Sequence, residues 1–305
     1  MRIVRFISPA TGQIALGVDD GGTVTELGGL STLSELLRLP LAEVRERCAA
    51  ADGPRHETAK VRLLPPVDGR MEVWACGVTY ERSRDARVDE SEKAADIYEL
   101  VYDAERPELF FKSVAWRVTG DGEKVSIRAD SAVDVPEPEL GLVVNKHAEV
   151  VGYTVVNDMS SRTIEGENPL YLPQAKIYLG GCAVGPAVRP AWEVADPYAL
   201  TIELTIRRGG EVEWHGTAST GQLHRRLDDL VSYLFREEAF PDGVVLSTGT
   251  CLVPDLPFAL RDGDEIAISI TDVGTLTSSV VQGKQGMGWL VEAADDPARR
   301  NPAAS

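Results

Sequence analysis

Pro136-Glu137-Pro138-Glu139-Leu140-Gly141-Leu142-Val143-Val144-Asn145 is the stretch on which the reading of this 305-residue chain turns. In an extended strand residues two apart share a face, so Glu137 and Glu139 project together while Leu140, Leu142 and Val144 face the opposite way, into a core. Lys146-His147-Ala148 then connects to Glu149-Val150-Val151-Gly152-Tyr153-Thr154-Val155-Val156, an antiparallel return strand ending at Asn157-Asp158. Such a hairpin carries Asp158 back beside both glutamates. Three carboxylates at strand ends, with oxygens left for water and substrate, suit Mg2+ or Mn2+ better than zinc, which recruits His or Cys. Alternating acid and aliphatic residues are also what a solvent-facing edge strand shows, and the alternation alone does not separate the two readings.

Outward from this hairpin, β-type runs dominate from residue 67: Glu72-Val78, Val125-Ile127, Leu200-Arg207, Val244-Ser247, Glu265-Thr271 and Thr275-Val281. Helices do not interleave them as a doubly wound sheet requires, so a mixed, mostly antiparallel β fold is expected. One helix is expected after Ser219-Thr220-Gly221, with Leu223, Leu227, Leu230, Val231, Leu234 and Phe235 on one face, and another from Ser91 to about Tyr102. Towards the N-terminus, short strands at Arg2-Phe6, Gln13-Val18 and Thr23-Leu27 precede a helical segment from Leu33 to about Ala50, which Pro40 divides. Turn-rich Ala51-His56 and then Pro65-Pro66 place a boundary that separates a small α+β lobe, residues 1–64, from a catalytic β domain, residues 65–305.

Composition narrows the function classes. The 48 acidic against 31 basic residues give a formal charge of -17, which repels phosphate backbones and anionic membranes. Nucleic acid and membrane are therefore not expected partners. No run reaches the roughly 18 apolar residues that a bilayer span needs. Cys48, Cys76, Cys182 and Cys251 form no CxxC pair, read as buried thiols of a reducing compartment, and point to the cytoplasm. There is no G-x-S-x-G elbow, G-x-G-x-x-G turn, Walker loop or H-E-x-x-H, and His147, His215 and His224 sit where solvated or capping histidines are common.

Gly77-Val78-Thr79-Tyr80, Pro107-Glu108-Leu109-Phe110-Phe111-Lys112, Glu137-Pro138-Glu139-Leu140-Gly141 and Gly152 to Arg162 occur in order across most of residues 70 to 282. Together they resemble the fumarylacetoacetate hydrolase superfamily. The resemblance implies an α+β, mostly β fold, a mixed β-roll or β-sandwich with the small N-terminal lobe, assembled as a homodimer or homotetramer. It also implies that Glu137, Glu139 and Asp158 bind Mg2+, with Mn2+ as an alternative. The run Ile164-Glu165-Gly166-Glu167-Asn168-Pro169-Leu170-Tyr171-Leu172-Pro173-Gln174-Ala175-Lys176 resembles the 2-keto-3-deoxy-D-arabinonate dehydratase branch. That likeness implies a hydro-lyase converting this 2-keto acid, or a close 2-keto-3-deoxy sugar acid, to 2,5-dioxopentanoate through a metal-stabilised enolate.

Such a reaction needs a base near C3 and an acid near O4. Lys176 is the leading side chain for one of these roles, and Glu108 is a second catalytic candidate that could equally form a structural ion pair with Lys112. Arg82 and Arg84, with Arg87, could meet a carboxylate; Lys112, Gln174 and Thr250 complete the expected substrate-binding set. Ser160, Ser161 and Arg162 are expected to stabilise the loop around Asp158. Two other readings keep the same carboxylates: a hydrolase of acylpyruvates or related 2,4-dioxo acids, and a metal-binding relative without dehydratase activity.

Overall fold

Runs rich in Val, Ile and Thr, as in Thr201–Arg208 and Gly274–Gln282, form strands because β-branched residues pack well on a pleated surface and lose rotamer freedom in helices. The computed structural model describes residues 1–81 and 100–300. The first 64 residues contribute β1 (Arg2–Ile7), β2 (Ile14–Asp19), β3 (Thr23–Glu26), β4 (Arg55–Glu57) and β5 (Arg62–Leu64). There follow β6 (Glu72–Gly77), β7 (Glu108–Val114), β8 (Glu123–Ile127), β9 (Asp134–Val135), β10 (Pro138–Val144), β11 (Val150–Asp158) and β12 (Ser160–Ser161). The last are β13 (Cys182–Pro190), β14 (Thr201–Arg208), β15 (Glu211–Ser219), β16 (Val244–Thr250), β17 (Glu265–Ile270) and β18 (Gly274–Gln282). The helix expected from Ser91 to about Tyr102 lies for the most part outside the described residues.

Ten strands run in the order β4-β3-β2-β1-β13-β11-β10-β16-β6-β7, with β5 beside β1. A second sheet, β15-β14-β17-β18-β8, packs on one face of the central strands. Leu140, Leu142, Val144, Val155 and Leu246 meet Ile202, Leu204, Ile268 and Val280 in the core between them. The opposite face, through Val143, Val156 and Val245, packs with Ile3, Leu16, Leu33, Leu36 and Val44 of the N-terminal segment. β10 is thus buried on both faces, and the edge-strand reading of its alternation does not hold.

Pro40 splits the N-terminal helical segment into α1 (Leu33–Leu37) and α2 (Leu41–Ala49), in agreement with its missing N–H and fixed φ. A capping box between Thr32 and Glu35 starts α1. Downstream lie α3 (Arg162–Glu167), α4 (Leu172–Lys176), α5 (Leu227–Leu234) and α6 (Gly288–Glu292). α5 begins four residues after the Leu223 expected from periodicity. Leu223 instead bridges Tyr80, and the His224 amide donates to the Thr79 carbonyl at 2.9 Å, which holds this stretch extended. β13 escapes sequence reading because Pro186 and Pro190 look like strand breakers. Its partner accommodates Pro186 through a register shift between Tyr153 and Val155. All four cysteines are buried and free.

Candidate metal centre and active site

The register of the central hairpin fixes the site. Pro138 pairs with Asn157, and the Asp158 amide donates to the Glu137 carbonyl at 3.0 Å, so the end of β11 returns to the start of β10. One carboxylate oxygen from each of Glu137, Glu139 and Asp158 lies within 4.8 Å of the others. All three side chains are at most 2% exposed. Burying a carboxylate costs several kcal/mol unless opposite charge or hydrogen bonds offset it, so the surrounding groups decide whether this cluster is tenable.

Among the described residues, three cations oppose it. Lys176 Nζ donates to Glu137 Oε2 at 2.5 Å, Asp158 Oδ2 at 3.2 Å and Ser160 Oγ at 2.5 Å. Lys112 pairs with Asp158 Oδ1 and donates to the backbone carbonyls of Met159 at 3.0 Å and Lys176 at 2.5 Å. Arg162 NH2 lies 2.9 Å from Glu137 Oε1, and its NH1 lies 3.6 Å from Glu165 Oε2. Among the described residues, four buried carboxylates, counting Glu165, thus face these three cations.

Glu139 is held differently. Its Oε2 accepts from Ser247 Oγ at 2.5 Å and from the Gly249 amide at 2.8 Å, both neutral donors. Burial first, then the charges of Asp158 and Glu137, push its carboxyl up to about 8. A divalent cation would relieve the crowding that raises it. The all-oxygen donor set, deep burial and mutual distances therefore fit Mg2+.

The remaining expected residues divide. Glu108 opens β7 opposite Gly77 and packs against that glycine, and its carboxylate and that of Glu139 both act on the buried Cys76 thiol. The Thr250 hydroxyl donates to the carbonyls of Pro138 and Leu252, each at 3.1 Å, which ties the end of β16 to the start of β10. Gln174 is exposed on α4, and its carbonyl accepts from Arg128 NH1 at 3.0 Å. Arg82, Arg84 and Arg87 lie outside the described residues. Ser160 bonds both Lys176 and the Asp158 carbonyl, while Ser161 caps α3 by accepting from the Ile164 amide.

Sequence reasoning did not identify Ser247 or the Gly249 amide as partners of Glu139, nor the direct contact of Arg162 with Glu137. The run Ser247-Thr248-Gly249-Thr250, directly after an aliphatic strand, is the signal that marks the first two. Gly249 has φ +92°, so it can turn its amide towards Glu139 where a residue with a Cβ would be strained.

The model of the fumarylacetoacetate (FAA) hydrolase C-terminal family matches residues 73–281. The "Probable 2-keto-3-deoxyxylonate dehydratase" of Haloferax volcanii is 45% identical over 260 residues, covering 83% of this chain and 87% of that protein. The 2-dehydro-3-deoxy-D-arabinonate dehydratase of Saccharolobus solfataricus is 42% identical over 223 residues, covering 72% of this chain and 74% of that protein. A solved structure of 2-keto-3-deoxy-D-arabinonate dehydratase, complexed with magnesium and 2,5-dioxopentanoate, superposes with a TM-score of 0.80 at 34% identity, covering 92% of this chain and 99% of that one.

Proposed function

Because this chain belongs to the fumarylacetoacetate hydrolase family, we propose that it is a Mg2+-dependent hydro-lyase acting on 2-keto-3-deoxy-D-arabinonate, or a close 2-keto-3-deoxy sugar acid, to give 2,5-dioxopentanoate. The observation that carries this reading is the buried cluster of Glu137, Glu139 and Asp158 with Lys176 placed on two of its members. Relatives 45% and 42% identical, which carry dehydratase names, supply the substrate class.

A bound divalent cation would supply Lewis-acid polarisation of the substrate's 2-oxo and carboxylate oxygens, which raises the acidity of the C3 proton. Glu137, Glu139 and Asp158 would hold that ion. Lys176 is the side chain we assign to proton handling, since Ser160 and the two carboxylates hold its amine at the cluster. Lys112 and Thr250, whose donors are engaged inside the protein, act as positioning residues: the first fixes Asp158, the second the strand ends. Glu108 remains the second acid-base candidate. Arg82 and Arg84 are candidates for the substrate carboxylate, and Gln174 for a hydroxyl.

Cytoplasmic residence belongs to the same reading, supported by four free, buried thiols, and assembly as a homodimer or homotetramer follows from the family likeness alone. The test is to incubate the purified protein and Mg2+ with 2-keto-3-deoxy sugar acids and acylpyruvates and to follow products by NMR. An aldehyde formed from the C5 acid, abolished by EDTA and by Lys176→Ala, is expected. Pyruvate released from acylpyruvates without turnover of any sugar acid would assign the protein to the hydrolases instead.

A further inference from the structure

Lys176 ends α4, a helix of five residues. A helix this short has no stability of its own and must be held by its surroundings. The Ile177 amide reaches back to the Pro173 carbonyl at 2.9 Å, which leaves the later carbonyls of the turn to donors from outside. Two cations supply them: Lys112 Nζ donates to the Lys176 carbonyl at 2.5 Å, and Arg128 NH1 to the Gln174 carbonyl at 3.0 Å. Cations are favoured at a helix C-terminus, where carbonyl ends concentrate negative charge. Lys112 also grips Asp158, whereas among the described residues no contact joins Arg128 to the carboxylate cluster.

The Arg128 guanidinium is nonetheless held in one orientation. Nε donates to Asp130 Oδ1 at 2.8 Å and NH2 to Asp130 Oδ2 at 2.7 Å, a bidentate fork that fixes its plane and aims NH1 at Gln174. The Tyr178 ring, two residues past Lys176, has its centroid 5.6 Å from Arg128 Cζ. Ser126, at the end of β8, holds the far side of the same segment. Its hydroxyl donates to the Leu179 carbonyl at 2.5 Å and its amide to the Gly180 carbonyl at 3.0 Å. Ser126 and Arg128 thus grip the chain on both sides of Lys176. The Arg128 and Asp130 side chains are 20% and 67% exposed, so their fork adds little to stability. What it supplies is geometry. Lys176 Nζ meets Glu137, Asp158 and Ser160 within 3.2 Å, and misplacing a reacting group by about 1 Å can cost on the order of 100-fold in rate.

We propose that Arg128 is a positioning residue for Lys176: by holding the Gln174 carbonyl it fixes α4, and with it the place of the Lys176 amine against Glu137 and Asp158. The inference rests on the proposed function for the proton-handling role of Lys176.

Arg128 borders a cavity of about 490 Å³ with Asp130, Tyr178 and Lys284, so a small solute can occupy the position that a truncated side chain vacates. In Arg128→Ala, kcat for the sugar acid is expected to fall tenfold or more, with KM and Mg2+ affinity each within twofold of the wild type and the melting temperature lowered by no more than a few degrees. Millimolar guanidinium is expected to raise kcat of the variant at least threefold, and methylammonium, which carries the charge without the fork, to leave it unchanged. An unchanged kcat, a loss matched in Mg2+ affinity, or a loss that guanidinium does not reverse or that methylammonium reverses equally would overturn the proposal. A second measurement is independent of turnover. Reductive methylation of the Mg2+-loaded protein, read by mass spectrometry, is expected to label the Lys176 amine severalfold faster in Arg128→Ala than in the wild type, and guanidinium to restore the slow rate. Equal rates would overturn the role of Arg128. Faster labelling that guanidinium slows, in a protein that dehydrates no sugar acid, would support the positioning of Lys176 while overturning the dehydratase reading.

Discussion

Lys112 grips Asp158 with an ammonium group whose other donors are already committed to the carbonyls of Met159 and Lys176. An ammonium has three protons, so this lysine is spent inside the protein and points none of them at a substrate. Lys176 reaches the other oxygen of the same carboxylate, at 3.2 Å. Asp158 is therefore fixed through both oxygens by two lysines, each of which meets three acceptors inside the protein.

Replacing Lys112 by Met should be a stability lesion. Removing one partner of a buried ion pair costs about 3–5 kcal/mol, because it leaves the other charge uncompensated. Urea unfolding in EDTA is expected to show that loss, and saturating Mg2+ to recover part of it by supplying charge at Asp158. A loss below about 1 kcal/mol would mean that Lys112 does not balance this carboxylate.

The stability of the metal-free protein should fall as pH rises. Folding lifts the Glu139 carboxyl from 4.5 to about 8. Between those values the folded state holds a proton that the unfolded state has released, so raising the pH across this window favours unfolding. Mg2+ must displace that proton, and its affinity should climb with pH up to about 8. Thermal melts with EDTA and with Mg2+ across this range test both trends. Glu139→Gln should flatten the slope in EDTA while weakening the binding of Mg2+.

Gly249→Ala should impair the metal site through the backbone. The glycine has φ +92°, and an added Cβ would press on the Thr79 hydroxyl and lie 3.1 Å from the Cys76 carbonyl. Strain of this kind costs on the order of 1–3 kcal/mol, and its relief would swing the amide away from Glu139. Calorimetry is expected to show severalfold weaker Mg2+ binding together with a lower melting temperature. Unchanged Mg2+ affinity would show that this amide does not shape the site.

Asp242 offers a contrasting case, a structural carboxylate without a part in the chemistry. It accepts from Arg38 Nε at 3.0 Å and from Arg70 Nε at 3.1 Å, joining the end of α1 to the turn before β16. The hydrogen bonds from Arg70 are the largest influence holding its carboxyl far below the usual range. Its contribution is therefore present above the ordinary carboxyl range and is lost as acid protonates it. Both arginines are partly solvated, so Asp242→Asn is expected to cost only about 1–2 kcal/mol near neutral pH, less at low pH, and to leave Mg2+ affinity unchanged. Equal destabilisation at neutral and strongly acidic pH would contradict this account.

Local chemistry made part of this protein legible in its sequence. The period-two pattern around Glu137 and Glu139 and the short return to Asp158 specified the hairpin, because strand pairing and side-chain alternation are set by neighbours in the chain. Pro40 announced the division of α1 from α2 for the same reason. Other features depended on segments far apart in sequence. Pro186 disguised β13, whose place depends on the irregularity in β11 opposite it. Residues 1–64 share a core with the central sheet through Ile3, Leu33 and Val245, a contact that the turn-rich linker does not foreshadow.

The sequence by itself determined which carboxylates lie at the ends of the central hairpin and the family motifs that surround them. Only the tertiary structure decided what each charged side chain does there. It turned Lys112 inward onto Asp158, set Lys176 across Glu137 and Asp158, and gave Glu139 the hydroxyl of Ser247 and the amide of Gly249. The reason is physical: a residue's type sets the charge and donors it can offer, but burial and the groups delivered by distant strands determine which of them are consumed within the protein and which remain for a ligand.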